Sequence, residues 1–461
     1  MTFAAMDPSR FLTQTLRSHP RGATVCQVMA AALEAVEPAA AVDRHLQRTG
    51  DWLTAGEKRY DLSRIKRILI VGAGKASEPM ARAVVDILAD AFTSGIVIVK
   101  EGWHQADDTL PPGLRVLEAS HPIPDERGVQ ATREVVSLLS GAGADDLVIC
   151  LLSGGASALL TQLVEGISLQ DVQHMTELLL RSGAGIQQIN ALRKHLDAVK
   201  GGGLTRAANG AQVLSLILSD VVGDRLDAIA SGPTAPDSST FLECLQIIRH
   251  YQLETKIPPS ILEHLQRGAA GEIPETLKAG DPFLERVNNV LVGSNRQAAA
   301  AGQAAAMSFG LNTKVLTVSM QAEARNAGRI LAGIARDVAA GAVPIPRPAC
   351  LIAGGETTVT IRGEGLGGRN QEAALAAVVG MSDLPDALLV TLATDGNDGP
   401  TDAAGAVVTG HTLARARTLD LLPSEYLVRN DSYHFFAALG DLLKPGPTLT
   451  NVNDLAFLFL F

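Results

Sequence analysis

The sequence predicts an α/β fold: two α/β domains, the first a doubly wound, Rossmann-like parallel sheet and the second a mixed sheet with helices. Three observations predict it. Short apolar runs recur at residues 68–71, 94–100, 146–152, 213–218, 349–353 and 387–393, as expected of strands buried on both faces. Helix-compatible stretches separate them, and strands alternating with helices imply parallel crossovers. The composition agrees: 461 residues, 46% hydrophobic, with 44 glycines and 4% aromatics, suit an α/β chain with more than one core.

Taken in order, residues 6–50 read as helical, with Val25, Val28, Met29, Leu33 and Val36 at helical spacing and Pro38 as the stop. Residues 68–71 then run into Gly72-Ala73-Gly74-Lys75, ahead of a helix at about 78–91. Such a loop lies at the carboxyl edge of the sheet, where open α/β sheets bind ligands. Gly72 and Gly74 allow close backbone approach, the helix start offers N–H groups and Lys75 adds positive charge, so the loop suits phosphate. It is no Walker loop, because Leu69 stands where one needs glycine. It is no full dinucleotide fingerprint either, because Ser77 takes the place of the third glycine. A tight structural turn is the plain alternative.

A strand at 94–100, a short extended segment at 115–119, the proline-fixed loop 120–125 and a helix at 128–139 follow. Residues 146–152 repeat the opening pattern and flow into Ser153-Gly154-Gly155-Ala156-Ser157, a loop able to cradle phosphate or carboxylate, or simply to pack tightly. A helix over 188–203 would carry Asn190, Arg193, Asp197 and Lys200 on one face, either a solvated stripe or an anion-recognition surface, with His195 off it and structural. The strand 213–218 delivers Asp220, well placed to hold Mg²⁺ or accept a hydroxyl proton.

Residues 241–284 read as a helical boundary between an N-terminal domain, 1–240, and a C-terminal domain, 285–461. The second domain is expected to open with a strand at 288–292 and the turn Gly293-Ser294-Asn295. A strand at 314–317, a helix at 322–340 and a strand at 349–353 come next, the last paired in a hairpin with 357–361. Four glycines at 363, 365, 367 and 368 then precede Arg369-Asn370-Gln371-Glu372; so many argue for backbone laid against a ligand, with a guanidinium able to bind phosphate bidentately. After the strand 387–393 come Asp395, Asp398 and Asp402, acidic groups suited to Mg²⁺ with phosphates or to a solvated turn. The apolar end, 455–461, must be buried as a strand.

A net charge of −10 argues against a nucleic-acid surface. Cys26, Cys150, Cys244 and Cys350 have neither disulfide nor zinc spacing. No run of 18 apolar residues and no leader pattern stands out, so the expectation is a cytoplasmic protein without a membrane partner, for which a homodimer is compatible.

The motifs VGAGKAS, SHPIPDERG, LLSGGASALL, INALRKHLDAVKGG, LSDVVGDRLDAIASGPT, GGETTVTIRGEGLGGRNQE, ATDGNDGPTDAAGA and TNVNDL, in this order, resemble those of the glycerate 2-kinase family, many of whose members carry an older hydroxypyruvate reductase label. The resemblance spans nearly the whole chain. It implies an active site between two α/β domains, ATP and Mg²⁺ as cofactors, and phosphorylation of D-glycerate to 2-phosphoglycerate. It implies Lys75 and Arg369 as the essential lysine and arginine. Leu449 stands where the resemblance leads one to expect glycine.

Joined to the residue reading, this gives catalytic roles to Lys75, Arg369 and Asp220. Ser153, Gly154, Gly155, Ser157 and Arg193 are expected to bind the substrate. Gly72, Gly74, Gly293, Asn295, Gly355, Glu356, Gly367 and Gly368 are expected around the nucleotide, and Asp395 and Asp220 at the metal. The rival reading is an NAD(P)H-dependent hydroxypyruvate reductase. It lacks the third glycine and a ribose-binding acid at the expected distance.

Overall fold

The computed structural model describes residues 6–104, 109–342 and 344–461, so residues 1–5 and 105–108 of the expected domain 1–240 and residue 343 of the expected domain 285–461 lie outside the described residues. The chain forms two compact units, Ala41–Val292 and a second built from Met1–Ala40 together with Gly293–Phe461.

The unit Ala41–Val292 opens with a small antiparallel sheet of β1 (Leu46–Thr49), β2 (Trp52–Ala55) and β3 (Lys58–Asp61). Its main sheet holds β4 (Arg67–Ala73), β5 (Ser94–Lys100), β6 (Leu114–Ala119), β7 (Asp146–Leu152), β8 (Gln212–Leu218) and β9 (Val287–Gly293), in the order β6-β5-β4-β7-β8-β9. The pairings among β4, β5, β6, β7 and β8 are parallel. This is the Rossmann strand order, and its direction reverses between β4 and β7. The apolar runs read from the sequence are these strands, buried along nearly their whole length.

Two expectations about this unit change. The strand at 288–292 does not open a second domain; as β9 it completes the first sheet beside β8. The stretch 241–284 is no boundary. Its helices Phe241–His250 and Pro259–Ala269 share a core with Met175, Leu179 and Leu192, from the helices Leu169–Arg181 and Ile186–His195.

In the other unit β10 (Asn312–Met320), β11 (Ala349–Gly355), β12 (Ala387–Ala393), β13 (Gly405–Thr409), β14 (Leu442–Leu443) and β15 (Asp454–Leu460) form a mixed sheet, ordered β10-β11-β15-β12-β13-β14. The apolar chain end is the central strand β15, antiparallel to both β11 and β12 and buried at every residue. Because β10 and β15 occupy both edges of β11, the segment 357–361 has no edge to pair with and makes only a bridge from Thr358 to Glu323, not the expected hairpin.

The N-terminal residues 1–40 were expected in the first domain but belong to this unit. The helix Gly22–Glu34 packs on the helix Asn295–Ser308, where a Cβ on Gly302 would lie 3.4 Å from the Cβ of Ala32. Pro38 does not stop the first long helix, which ends at Glu34; it begins the next, Pro38–His45, where its missing N–H costs nothing. Among the described residues no single helix is long and apolar enough to cross a membrane.

Candidate active site

At the switch point of the parallel sheet the loops after β4 and β7 are stitched together. Lys75 N–H donates to the Gly154 carbonyl at 2.9 Å, and Ala76 N–H donates to Ser153 Oγ at 3.0 Å. A Cβ on Gly74, at φ +129, would sit 2.1 Å from Ser153 Oγ, and one on Gly72 would sit 2.4 Å from the Leu151 carbonyl oxygen. These two glycines admit the neighbouring loop.

Beside the stitch lies a cavity of about 910 Å³, into whose wall Ser153, Gly155, Ser157, Arg193 and Asp220 all fall. Five expected catalytic or substrate residues are therefore together. The helix Ile186–His195 ends before Asp197 and Lys200, yet the turns that follow bring both back to the same wall. Lys200 is buried against Asp197 and donates to the Leu160 carbonyl at 2.9 Å, so its charge is spent locally. Arg193 differs. It is half-buried, burial pushes its guanidinium below the usual value, and among the described residues it has no hydrogen bond or ion pair. His195 is structural, as expected: its buried ring bonds the Ala191 carbonyl and packs edge-on to Phe241.

His121, from the loop 120–125, completes this wall. Its ring lies against Gly155, where a Cβ would come within 3.1 Å of Cδ2. Burial, with Lys75 and Lys100 adding to it, lowers its pKa from 6.5 to about 4, so the ring is neutral at physiological pH.

In the other unit Arg369 opens the helix Arg369–Met381 and is held by carboxylates. Its Nε and Nη2 donate to Asp454 at 2.6 and 3.1 Å, and Nη1 donates to Glu356 at 2.7 Å. Burial works against this charge, but Asp454 and Glu356 outweigh it and raise the guanidinium's pKa. Burial lifts the Asp454 carboxyl to about 7 despite Arg369. Asp398, buried and likewise raised by burial, accepts N–H bonds from Asn370 and Gln371 at the helix start.

The glycines here do not face open space. Cβ atoms on Gly363, Gly365, Gly367 and Gly368 would meet Arg429, Asp431, Ser432 and Asp398, each within 2.4 Å. One on Gly355 would meet the Met320 backbone. The loop 363–368 threads between the 398 loop and the 429–432 turn, and that packing accounts for all four glycines of the loop without a ligand. Asn295 ties its helix to the last strand through the carbonyls of Val452 and Asp454, at 2.8 and 2.9 Å, and Gly293 ends β9. Asp395 accepts an N–H bond from Asn397 at 3.1 Å. Among the described residues no three His, Cys, Asp or Glu side chains gather as a metal cage.

Comparisons with known proteins match this arrangement along the chain. A family model described as a domain of unknown function, DUF4147, covers residues 24–266, and the MOFRL family model covers 349–454. The D-glycerate 2-kinase of Thermotoga maritima is 41% identical over 393 residues, 85% of this chain and 90% of that protein. The chain belongs to the glycerate 2-kinase family. A crystal structure of glycerate kinase from Thermotoga maritima superposes with a TM-score of 0.84 at 38% identity, covering 95% of this chain and 99% of that one. A relative from Agrobacterium vitis, 41% identical over 84% of this chain and 86% of its own, bears a hydroxypyruvate reductase name.

Residue reasoning passed over three residues that lie beside expected ones: Lys100 and His121 near Lys75 and Gly155 in one unit, and Asp454 on Arg369 in the other. Two carried a signal in the sequence. His121 sits in a loop fixed by Pro122 and Pro124, and Asp454 closes the polar run TNVND just before an apolar strand.

Proposed function

We propose that this chain transfers the γ-phosphoryl group of ATP to the 2-hydroxyl of D-glycerate, releasing ADP and 2-phosphoglycerate. Membership of the family makes it a kinase, and the relatives' names supply glycerate as acceptor. The observation that carries the reading to these residues is Arg193: a half-buried guanidinium in a cavity wall, without a carboxylate of its own among the described residues. A small carboxylate supplies two parallel bonds to such a fork.

With glycerate's carboxylate on Arg193 and the loop 153–157, the 2-hydroxyl would face Asp220 in the same wall. As the new O–P bond forms and the bridging oxygen leaves with ADP, the hydroxyl proton passes to the Asp220 carboxylate. Lys75 would balance charge on the phosphates. In the other unit, Arg369 keeps N–H donors that Asp454 and Glu356 leave unused. Asp220 offers a hard oxygen donor of the kind Mg²⁺ prefers, and Asp395 offers one in the other unit; Mg²⁺ usually takes only one or two carboxylates beside phosphates and water. When bound, the ion would neutralise phosphate charge.

Purified protein incubated with D-glycerate, ATP and Mg²⁺ should release ADP only when glycerate is present, and NMR should identify 2-phosphoglycerate. The 3-isomer would overturn the regiochemistry. NADH oxidation with hydroxypyruvate, and no ADP release in the first assay, would replace the kinase reading by the reductase one.

A further inference from the structure

Between β8 and the helix Phe241–His250 the backbone passes through three successive left-handed residues: Ala230 at φ +52, Ser231 at φ +61 and Gly232 at φ +64. Only the third is glycine. In this conformation the Cβ of the other two crowds the neighbouring carbonyl, and such strain lasts only where the surroundings hold it. Here they do. Gly201 N–H donates to the Ser231 carbonyl at 3.0 Å and Gly202 N–H to the Gly232 carbonyl at 2.7 Å, so the turn is clamped to the segment that follows Lys200. A turn kept for its shape alone would be met with less strain by glycine, as it is at Gly232 and is not at Ser231.

What the clamp fixes is a hydroxyl. Ser231 is fully buried, and its Oγ lies 3.2 Å from Ser157 Oγ, the one side-chain hydrogen bond that either serine makes among the described residues. Ser157 is only half-buried and stands in the cavity wall, on the short helix Ala156–Leu159 that grows out of the loop 153–157. Ala228 and Ala230, on either side of the turn, line the same wall, while Ser231 lies behind it.

The two ends of this bond are not equivalent. Each hydroxyl has one hydrogen to give and can also accept. If Ser157 donated, the Ser231 hydrogen would be left without an acceptor in a sealed place, an arrangement that folded proteins avoid. If Ser231 donates, its own hydrogen is satisfied and that of Ser157 is free for an acceptor in the cavity. In the reading given above that acceptor is the carboxylate of glycerate, placed on Arg193 in the same wall.

We infer that Ser231 is a positioning residue of this site: held in its left-handed turn, it donates to Ser157 Oγ and so makes Ser157 a fixed donor to the carboxylate of the bound acid. The inference rests on the placing of glycerate at Arg193 and the loop 153–157. It adds to that reading a residue that touches no substrate.

Calorimetric titration of the full chain with D-glycerate reads the contact directly, and ADP release reads it in turnover. Ser157→Ala should weaken glycerate binding about tenfold, as when one hydrogen bond to a charged group is lost. Ser231→Ala should weaken it about fivefold, because the Ser157 hydroxyl is then free to turn away. KM should carry this loss and kcat should hardly change, since the carboxylate does not react. The double variant should stay at about tenfold, against the about fiftyfold expected of independent residues. Ser231→Gly separates chemistry from shape. It lacks the hydroxyl, as Ser231→Ala does, but suits φ +61; the two should bind glycerate alike while the glycine variant melts at the higher temperature.

Wild-type affinity in Ser231→Ala beside a weakened Ser157→Ala would overturn the inference and leave the acid site standing. Losses that multiply in the double variant would also overturn it, because Ser231 would then act without Ser157. Unchanged affinity in Ser157→Ala itself would take the loop 153–157 out of the acid site, and the role of Ser231 with it. Glycerate binding that depends on both serines, in a protein that releases no ADP, would sink the kinase reading and uphold the inference.

Discussion

Replacing Arg193 by methionine should move activity and stability in opposite directions. The guanidinium is half-buried, its pKa is lowered by burial, and among the described residues it has no acid to neutralise it. Removing it therefore strands no partner, unlike breaking a buried pair. Methionine keeps most of the length and drops the uncompensated charge, which should stabilise by about 1 kcal/mol, the low end for trading buried charge for apolar volume. In a unit of this size that is a Tm increase of about 2–4 °C. If Arg193 holds glycerate's carboxylate, the same change removes a forked, charged contact worth about 3 kcal/mol, or about 150-fold in kcat/KM, most of it in KM because the carboxylate does not react. Arg193→Lys keeps the charge without the fork and should fall between. Calorimetry and steady-state kinetics with D-glycerate varied read both halves. A lower Tm with an unchanged KM would make Arg193 a structural residue and remove the observation on which the functional reading rests.

Other expectations follow from the geometry. His121, with a folded pKa of about 4 against a usual 6.5, binds fewer protons folded than unfolded between those values. Its contribution is thus present above pH 6.5 and lost as pH falls toward 4, about 2 kcal/mol after allowance for partial exposure. His121→Asn should flatten that part of the stability profile measured by urea unfolding at pH 7 and pH 4.5. Gly74→Ala would drive a Cβ into Ser153 at φ +129 and should cost about 3 kcal/mol or more, read as a lower urea midpoint, together with weakened ATP binding. Leu449 occupies a left-handed conformation at φ +62, so Leu449→Gly should be more stable than Leu449→Ala by about 1 kcal/mol; equal melting temperatures would show that the turn is not strained.

What the sequence revealed follows from what each signal measures. Strands buried on both faces leave continuous apolar runs, so the expected strands at 94–100, 146–152 and 387–393 coincide with β5, β7 and β12. An apolar helix face says only that it is covered, not by what; hence Gly22–Glu34 could not be assigned to its partner, Asn295–Ser308. Residues 357–361 have strand propensity, but propensity cannot reveal that β10 and β15 already flank β11. The glycines of 363–368 look the same in sequence whether a ligand or Arg429, Asp431, Ser432 and Asp398 press against them. The loops near Lys75 and Ser153 were legible because they sit at strand ends, which the apolar runs locate. Lys100 was passed over for the opposite reason: it reads as the last residue of a strand, and only the pairing of β4 with β5 brings it level with Lys75.

The placement of β15 bears on how the chain acquires its form during synthesis. Residues 455–460 fill the middle of their sheet, between strands made about a hundred and about seventy residues earlier, and the helix Gly22–Glu34 must wait as well for Asn295–Ser308. On the ribosome, Ala41–Val292 emerges as one uninterrupted segment with all six strands of its parallel sheet, while β11 and β12 have only a gap between them until Asp454–Leu460 has emerged. For that interval two fully apolar strands expose unpaired edges, the condition under which nascent chains aggregate or recruit chaperones. A chain cut short before Asp454 would make this interval permanent.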